Sequence, residues 1–233
     1  MLVSLGLWQL QRLAWKEGVL AQIEARASAP PVAAPIDWGA FEPQRDEYRH
    51  VTISGEFEHD HEALVFRATG NGKAGFEGPG YLVMTPLLLA DGAHVLVNRG
   101  FVPMARRDSA SRMAGQRPGF VTLTGLLRSS EPRNAFTPAD NPAKNEWFTR
   151  DVAAIAAHFG LERTAPFSID ADAAPNPGGL PIGGATVLAI ANDHLSYALT
   201  WFGLGIALLG VFAVYAWDKL KPGPAGKAES SAL

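Results

Sequence analysis

The sequence has 233 residues, of which 47% are hydrophobic and 18% are charged, a charged fraction below the roughly 25% that is usual in soluble domains. This composition excludes a largely disordered chain, and the net charge of −3 offers no basic surface for nucleic acid. The absence of cysteine excludes disulfides, thiolate metal sites, covalent c-type haem attachment and cysteine nucleophiles. We therefore expect a folded domain combined with a membrane segment, and no nucleic-acid partner.

The N-terminal segment, residues 1–29, predicts a helix followed by a linker. Only eight residues precede Gln9, which is too few to span a bilayer and too few for the core of a signal peptide. Trp8 and Trp15 are seven residues apart, while Gln9 and Arg12 follow another face of the same helix. This pattern indicates the outer end of a truncated first membrane helix. The alternative is an amphipathic helix that lies on a surface.

Residues 30–193 predict a water-soluble β domain. Short alternating or apolar runs indicate about seven strands, and Asp91-Gly92 is typical of a hairpin turn. The segment 151–160 predicts the one soluble helix, which Asp151 opens and Gly160 closes. Because the strands do not alternate with helices, we expect an antiparallel sheet or a partly open β-barrel. The predicted strands are 48–57, 63–66, 81–90, 94–102, 120–128, 166–170 and 186–190.

The residues from Leu195 to Trp217 form a continuous run without a charged side chain. As a helix this run is long enough to cross a hydrocarbon core of about 30 Å. We predict a transmembrane helix at 194–217, the alternative being the buried core helix of a large protein. The tail 218–233 is expected to be disordered, and Lys219 and Lys221 favour the cytoplasmic side for it.

Histidine supplies the candidate metal ligands. His59 and His61 would share one face of a strand and could pair on a metal, although a solvated hairpin is the simpler interpretation. His194 begins the membrane helix, and Tyr197 and Trp201 follow it one and two turns later. Imidazole is a good ligand for haem iron, and an aromatic wall suits a porphyrin face. The alternative is that His194 only anchors the helix end at the membrane interface.

The remaining polar segments of the sequence do not indicate an enzyme active site. Arg106, Arg107, Arg112 and Arg117 crowd one segment that could face lipid headgroups or haem propionates, although a solvated loop is the simpler interpretation. The Gly-rich segment 70–80 joins two strands, so it is read as a flexible loop. The sequence has no nucleophile elbow, no phosphate-binding or dinucleotide glycine pattern and no HExxH. We therefore expect a protein that is not an enzyme.

Several segments together resemble one family in the same order along the chain. GLWQLQRLAWK (6–16) resembles the G-x-W-Q-x-x-R-x-x-W-K signature of the Surfeit locus protein 1 family of cytochrome c oxidase assembly factors. The resemblance continues through GYLVMTP (80–86), VNRGFVP (97–103), NPAKNEW (141–147) and NDHLSYALTWF (192–202). One departure is that members of the family have a full first membrane helix before the first of these segments.

The resemblance implies an α+β membrane protein with two membrane helices around an extracytoplasmic domain. It implies a role in maturing haem–copper oxidase, in which haem a is held and inserted into subunit I, with haem a synthase as a further partner beside the lipid bilayer. The haem-linked histidine falls on His194, with Tyr197 and Trp201 as neighbours and Trp8, Gln9 and Arg12 on the facing helix. The composition favours a bacterial inner-membrane protein with its domain in the periplasm. An assembly scaffold that binds no cofactor is the alternative function.

Overall fold

A computed structural model describes residues 1–35, 37–68, 78–186 and 192–220. The chain divides into two compact units. One unit comprises Met1–Ala21 and Ile190–Leu233, and the other comprises Gln22–Ala189. Three predicted segments lie wholly or mostly outside the described residues. They are the strand 186–190 except its first residue, most of the loop 70–80, and the tail from residue 221.

The chain forms four α-helices and seven strands in the described ranges, together with several short 3₁₀ turns. The helices are α1 (Leu2–Ala27), α2 (Pro43–Asp46), α3 (Val152–Phe159) and α4 (His194–Leu220). The strands are β1 (Val32–Ala33), β2 (His50–Phe57), β3 (Ala63–Arg67), β4 (Gly80–Leu88), β5 (His94–Pro103), β6 (Phe120–Arg128) and β7 (Thr164–Ala171).

Five strands close into a barrel in the second unit. The order is β2-β6-β7-β5-β4, and β4 returns to pair with β2. The flanking strands β1 and β3 extend β2 and β4 respectively. The predicted fold class is thus confirmed as α+β with a barrel-like sheet. The sheet is mixed, however, because β5 pairs with β7 in parallel and β1 with β2 in parallel, where an antiparallel sheet was expected.

Alternation of side chains along the strands builds the barrel interior. Val51 and Ile53 of β2 point inward with Phe167 and Ile169 of β7, and all four are buried. This is the period of two that a strand with one apolar face requires. A second apolar cluster lies on the outer side of β4 and β5, where α3 packs. It contains Met84, Leu96, Trp147, Val152 and Ile155.

The helix α3 begins and ends where the sequence predicts. The carboxylate of Asp151 accepts a hydrogen bond from the Ala154 N–H at 3.0 Å, which is a standard N-cap. Gly160 adopts φ +67° at the other end, a left-handed conformation that glycine reaches without strain. These two residues confine the helix to two turns over the outer apolar cluster.

The helix α4 is, among the described residues, the one helix long and apolar enough to cross a membrane. Its large apolar side chains are mostly exposed, from 50% at Leu204 to 82% at Leu220. A core helix of a soluble protein would bury these side chains, so that alternative is excluded for α4. The helix continues three residues past its predicted end at 217, and Asp218 and Lys219 are therefore helical.

Candidate functional site

The first unit is an antiparallel pair formed by α1 and α4 that packs through small residues. Gly6 on α1 is buried, and a side chain there would lie 2.5 Å from the ring of Phe202. Ala198 and Gly205 are the buried positions of α4, and Gly205 faces Leu2. Small residues allow helices to approach closely where lipid provides no hydrophobic drive. Because the two helices run antiparallel, the order of these contacts along them places Gln9 beside the start of α4.

The close approach joins Gln9 to His194. The Nδ1 atom of His194 lies 2.7 Å from Oε1 of Gln9, which is hydrogen-bond distance. Both side chains are half-buried between the helices. Two of the six residues expected at the site are thus in direct contact, although 185 positions separate them in the chain.

The other four expected residues surround this pair less closely. Trp201 is half-buried two turns along α4, on the same side as Ala198. Tyr197 and Trp8 are 57% and 53% exposed, so neither is packed between the helices. The guanidinium of Arg12 lies 4.1 Å from the centre of the Trp15 ring, a cation–π contact on the surface of α1. His194 and Gln9 therefore form the centre of the candidate site.

The chemistry of this centre would allow His194 to serve as a ligand to haem iron. An imidazole with one nitrogen in a hydrogen bond keeps the other available for a metal. Among the residues that the structure describes, His194 Nε2 has no hydrogen-bond partner, and the nearby Asn192 Oδ1 is buried without one. Residues that could hold a metal through three or more carboxylate or imidazole groups do not occur in the described ranges. In the described residues this centre therefore offers one imidazole nitrogen for a ligand.

The structure assigns His59 and His61 to the barrel fold. Both lie in a 3₁₀ turn, where a strand-borne metal pair was considered. His59 Nε2 bonds to the Arg117 carbonyl at 3.0 Å and Nδ1 meets the Arg99 guanidinium at 3.2 Å. Burial, together with the positive charge of Arg99, lowers the pKa of His59. Its two ring nitrogens are therefore occupied by protein groups.

Arg112 contradicts the solvated-loop interpretation of the arginine-rich segment. It is 5% exposed and pairs through two nitrogens with both carboxylate oxygens of Glu62, at 3.1 and 2.7 Å. Arg99 is also buried and reaches Glu62 at 3.2 Å. Sequence reasoning missed this cluster, because Glu62 and the two arginines come from separate parts of the chain. Its only local signal is the arginine inside the apolar strand β5.

A second buried carboxylate, Asp170, was also missed. Its oxygens accept hydrogen bonds from Arg150 at 2.9 Å, Asn98 at 2.9 Å, Thr186 at 2.6 Å and Arg128 at 3.3 Å. Burial alone would raise the pKa of this carboxyl, but the two arginines outweigh burial and lower it. Asp170 therefore stays ionised and fastens the residues around it to β7.

His50 forms hydrogen bonds through both of its ring nitrogens. Its Nδ1 bonds to the Ala29 carbonyl at 2.9 Å and its Nε2 to the Asp172 carboxylate at 2.8 Å. Burial alone would lower the pKa of His50, but these two acceptors outweigh burial and raise it. The residue thus fastens the linker after α1 to β2.

These features define a class: a β-barrel domain joined to a helix pair, of which α4 is apolar, with a histidine–glutamine contact between the two helices. The family follows from comparison with known proteins. A sequence model of the SURF1 family matches residues 1–206. The chain is 38% identical over 211 residues to Surfeit locus protein 1 of Mus musculus, covering 86% of this chain and 67% of that protein.

Two further relatives extend the match. Surfeit locus protein 1 of Homo sapiens is 38% identical over 227 residues, covering 93% of this chain and 72% of that protein. A SURF1-like protein of Monosiga brevicollis is 39% identical over 216 residues, covering 90% and 81%. The chain therefore belongs to the SURF1 family, as its sequence motifs predict.

Proposed function

We propose that this protein is a membrane-anchored assembly factor for haem–copper cytochrome c oxidase, which holds haem a at His194 and assists its insertion into subunit I. Membership of the SURF1 family supports the oxidase-assembly role. The observation that carries the haem part is the His194 ring, half-buried at the start of an apolar helix with one nitrogen free among the described residues.

The position of His194 suits a cargo that is apolar and flat. The ring begins a helix whose large apolar side chains are mostly exposed, so a porphyrin bound there would contact hydrocarbon groups on one side. A neutral imidazole loses less on leaving water than a charged ligand would. Haem would contribute an iron centre that accepts one nitrogen lone pair. Trp201, half-buried on the same side of α4 as Ala198, would limit where the macrocycle can lie.

We place the protein in a bacterial inner membrane as a multi-pass protein, with the barrel in the periplasm. The apolar helix α4 supports membrane anchoring. Haem a synthase would be the source of the cargo and subunit I its destination, with the lipid bilayer around the helix pair. In this arrangement the protein acts as a chaperone for the cofactor and performs no chemistry on it, so we propose no enzymatic activity.

Replacing His194 by alanine tests the haem proposal. We expect His194→Ala, purified in detergent from cells that make haem a, to lose the haem a absorption bands, because the imidazole is the proposed iron ligand. The barrel should remain folded, since the substitution lies in the other unit. The measurement is the visible spectrum normalised to protein, with far-ultraviolet circular dichroism as the check on folding.

His61→Ala is the matched control, because His61 is a partly exposed histidine of the barrel with one 3.4 Å contact to Glu58. It should retain wild-type haem content. If His194→Ala kept its full haem a spectrum, the ligand assignment would fail. If the wild-type protein held no haem a while remaining necessary for oxidase assembly, the scaffold function would replace the chaperone function.

A further inference from the structure

We propose that Gln9 is a positioning residue that fixes His194 as its Nδ1–H tautomer and so directs the Nε2 lone pair towards the cargo. The inference deepens the proposed function and rests on it where haem is concerned. Its structural basis is the 2.7 Å contact between His194 Nδ1 and Gln9 Oε1. An amide oxygen is an acceptor only, so the nitrogen that faces it must carry the proton.

The protonation state of the other ring nitrogen, Nε2, is then fixed. In a neutral imidazole only one ring nitrogen is protonated, so Nε2 keeps its lone pair whenever Nδ1 donates. The two nitrogens point away from each other, and Nε2 is therefore directed away from Gln9. Histidines that bind metals generally donate their second ring N–H to a protein acceptor, which fixes the tautomer and the ring orientation. Gln9 supplies that acceptor from the facing helix.

The packing of the helix pair holds the acceptor in place. Gln9 lies one turn beyond Gly6, where the absence of a side chain lets the Phe202 ring approach α1. A larger residue at position 6 would collide with that ring and separate the helices. The hydrogen bond thus depends on a residue that takes no part in it. This dependence provides a test that leaves Gln9 and His194 chemically intact.

The acceptor at position 9 is a neutral amide. A carboxylate at position 9 would draw the Nδ1 proton more strongly, because hydrogen bonds to charged acceptors are about twice as strong as neutral ones. The imidazole would then be a better electron donor, and the ferric form of a bound haem would be favoured. An amide keeps the histidine a moderate ligand. Gln9→Glu therefore tests how strongly the acceptor at position 9 acts on the imidazole.

The tautomer can be measured without haem. We expect ¹⁵N NMR of histidine-labelled wild-type protein in detergent micelles, at mildly alkaline pH, to show His194 with Nδ1 protonated. The His194→Ala spectrum assigns the signal. In Gln9→Leu and in Gly6→Leu the signal should move to the Nε2–H pattern that free histidine side chains prefer in water. Gln9→Glu should keep the wild-type tautomer, because it keeps the acceptor.

Haem measurements on the same variants separate positioning from packing. We expect Gln9→Leu to weaken haem a binding about tenfold to a hundredfold, the usual effect of removing a partner of a metal-bound histidine. Gln9→Glu should bind haem with a lower reduction potential than wild type, a change that a merely structural role would not produce. Gln11→Leu is the matched control, since Gln11 is an exposed glutamine on the same helix, and it should resemble wild type throughout.

The outcomes distinguish the two proposals. A wild-type tautomer in Gln9→Leu, or an Nε2–H tautomer in the wild-type protein, would overturn the role of Gln9 whether or not haem is bound. Equal haem affinity and potential in wild type, Gln9→Leu and Gln9→Glu would also overturn it while leaving His194 as the ligand. If the tautomer depends on Gln9 but no variant binds haem a, the positioning role holds and the proposed function fails.

Discussion

Two buried carboxylates, Glu62 and Asp170, each hold a pair of arginines in the barrel unit. Glu62 is shared by Arg99 and Arg112, and Asp170 by Arg150 and Arg128. Burial lowers the pKa of Arg99 to about 10. The negative charge of Glu62 raises this pKa, and the positive charges of Arg112 and Arg117 lower it. Buried ion pairs of this kind add little to the net stability of a fold, because the charges lose their hydration. We therefore expect them to specify which segments of the barrel unit pack together.

Replacing Asp170 tests the second of these clusters. We expect Asp170→Asn to destabilise the barrel by about 3–5 kcal/mol, because the buried Arg150 would keep only its longer, 3.6 Å pair with Glu131. Urea unfolding followed by tryptophan fluorescence measures the change. Asp91→Asn is the matched control, since Asp91 forms an exposed pair with Arg163. A similar loss in both variants would contradict the assignment of Asp170 as a structural anchor.

The dependence of the stability of the folded protein on acid pH follows from the same residue, Asp170. The pKa of Asp170 is lower in the folded protein than its ordinary value of 3.8. The stability it contributes is therefore fully present above that ordinary value, and it is lost as the pH falls through the lower folded value. We expect Asp170→Asn to remove this part of the acid-induced loss of stability. Unfolding midpoints measured across the acid range would test the effect against wild type.

The residues of the candidate site were partly predictable from sequence. Position identified His194, because an imidazole at the start of an apolar helix is unusual, and the family motif identified Gln9. Their mutual contact was not predictable, since it joins residues 185 positions apart. The same reason hid Glu62 and Asp170, whose arginine partners come from other strands and loops. The structure also shows that Tyr197 is exposed and therefore lies away from the centre of the site. Its position three residues after His194 on the helix could not show this.

At the scale of elements, the barrel depends on a short closure between β2 and β4. Only two residue pairs join these strands, Glu56 with Leu88 and Phe57 with Leu87. The preceding Gly55 allows this approach, because a Cβ atom there would lie 2.5 Å from the Leu88 carbonyl oxygen and 2.8 Å from the Leu87 side chain. A glycine in a strand often marks such a close backbone contact.

Gly55→Val should therefore open the barrel where β2 meets β4. We expect a loss of stability of about 1–3 kcal/mol, the usual cost of inserting methyl groups into a packed site. The measurement is the unfolding midpoint, together with amide hydrogen exchange of β2 and β4. The same substitution at Gly18, where nothing lies within 4 Å of the added carbon, should leave the barrel unchanged. Unaltered exchange in the Gly55 variant would show that the closure tolerates a side chain.

Local pattern explains why the strands were predictable and their partners were not. Alternating and apolar runs placed β2 to β7 close to their observed bounds, because each strand needs one face for the core. The parallel pairing of β5 with β7 depends on the path of the intervening segment, which no strand pattern encodes. The two-residue strand β1 follows Pro30 and Pro31, and a pair of residues is too short to form a recognisable alternation.

At the scale of the whole molecule, charge and hydropathy predict how the chain is oriented across a membrane. The apolar α4 ends at Asp218, Lys219 and Leu220, and the sequence continues with Lys221 and Lys227. Lysines next to a membrane helix favour the cytoplasmic side. If the tail is cytoplasmic, the start of α4 at His194 lies at the outer face, where a cargo could enter from the outer leaflet.

The absence of cysteine from the sequence allows this orientation to be mapped directly. We expect Phe136→Cys, at a loop residue that is 94% exposed on the barrel unit, to react with a membrane-impermeant maleimide in intact spheroplasts. Ser231→Cys, in the tail, should react only after the membrane is permeabilised, because lysines beside a membrane helix favour the cytoplasmic side for the tail. The unmodified chain is the blank for both. Labelling of Ser231→Cys alone in intact spheroplasts would reverse the topology and move the His194 end of α4 to the cytoplasmic face.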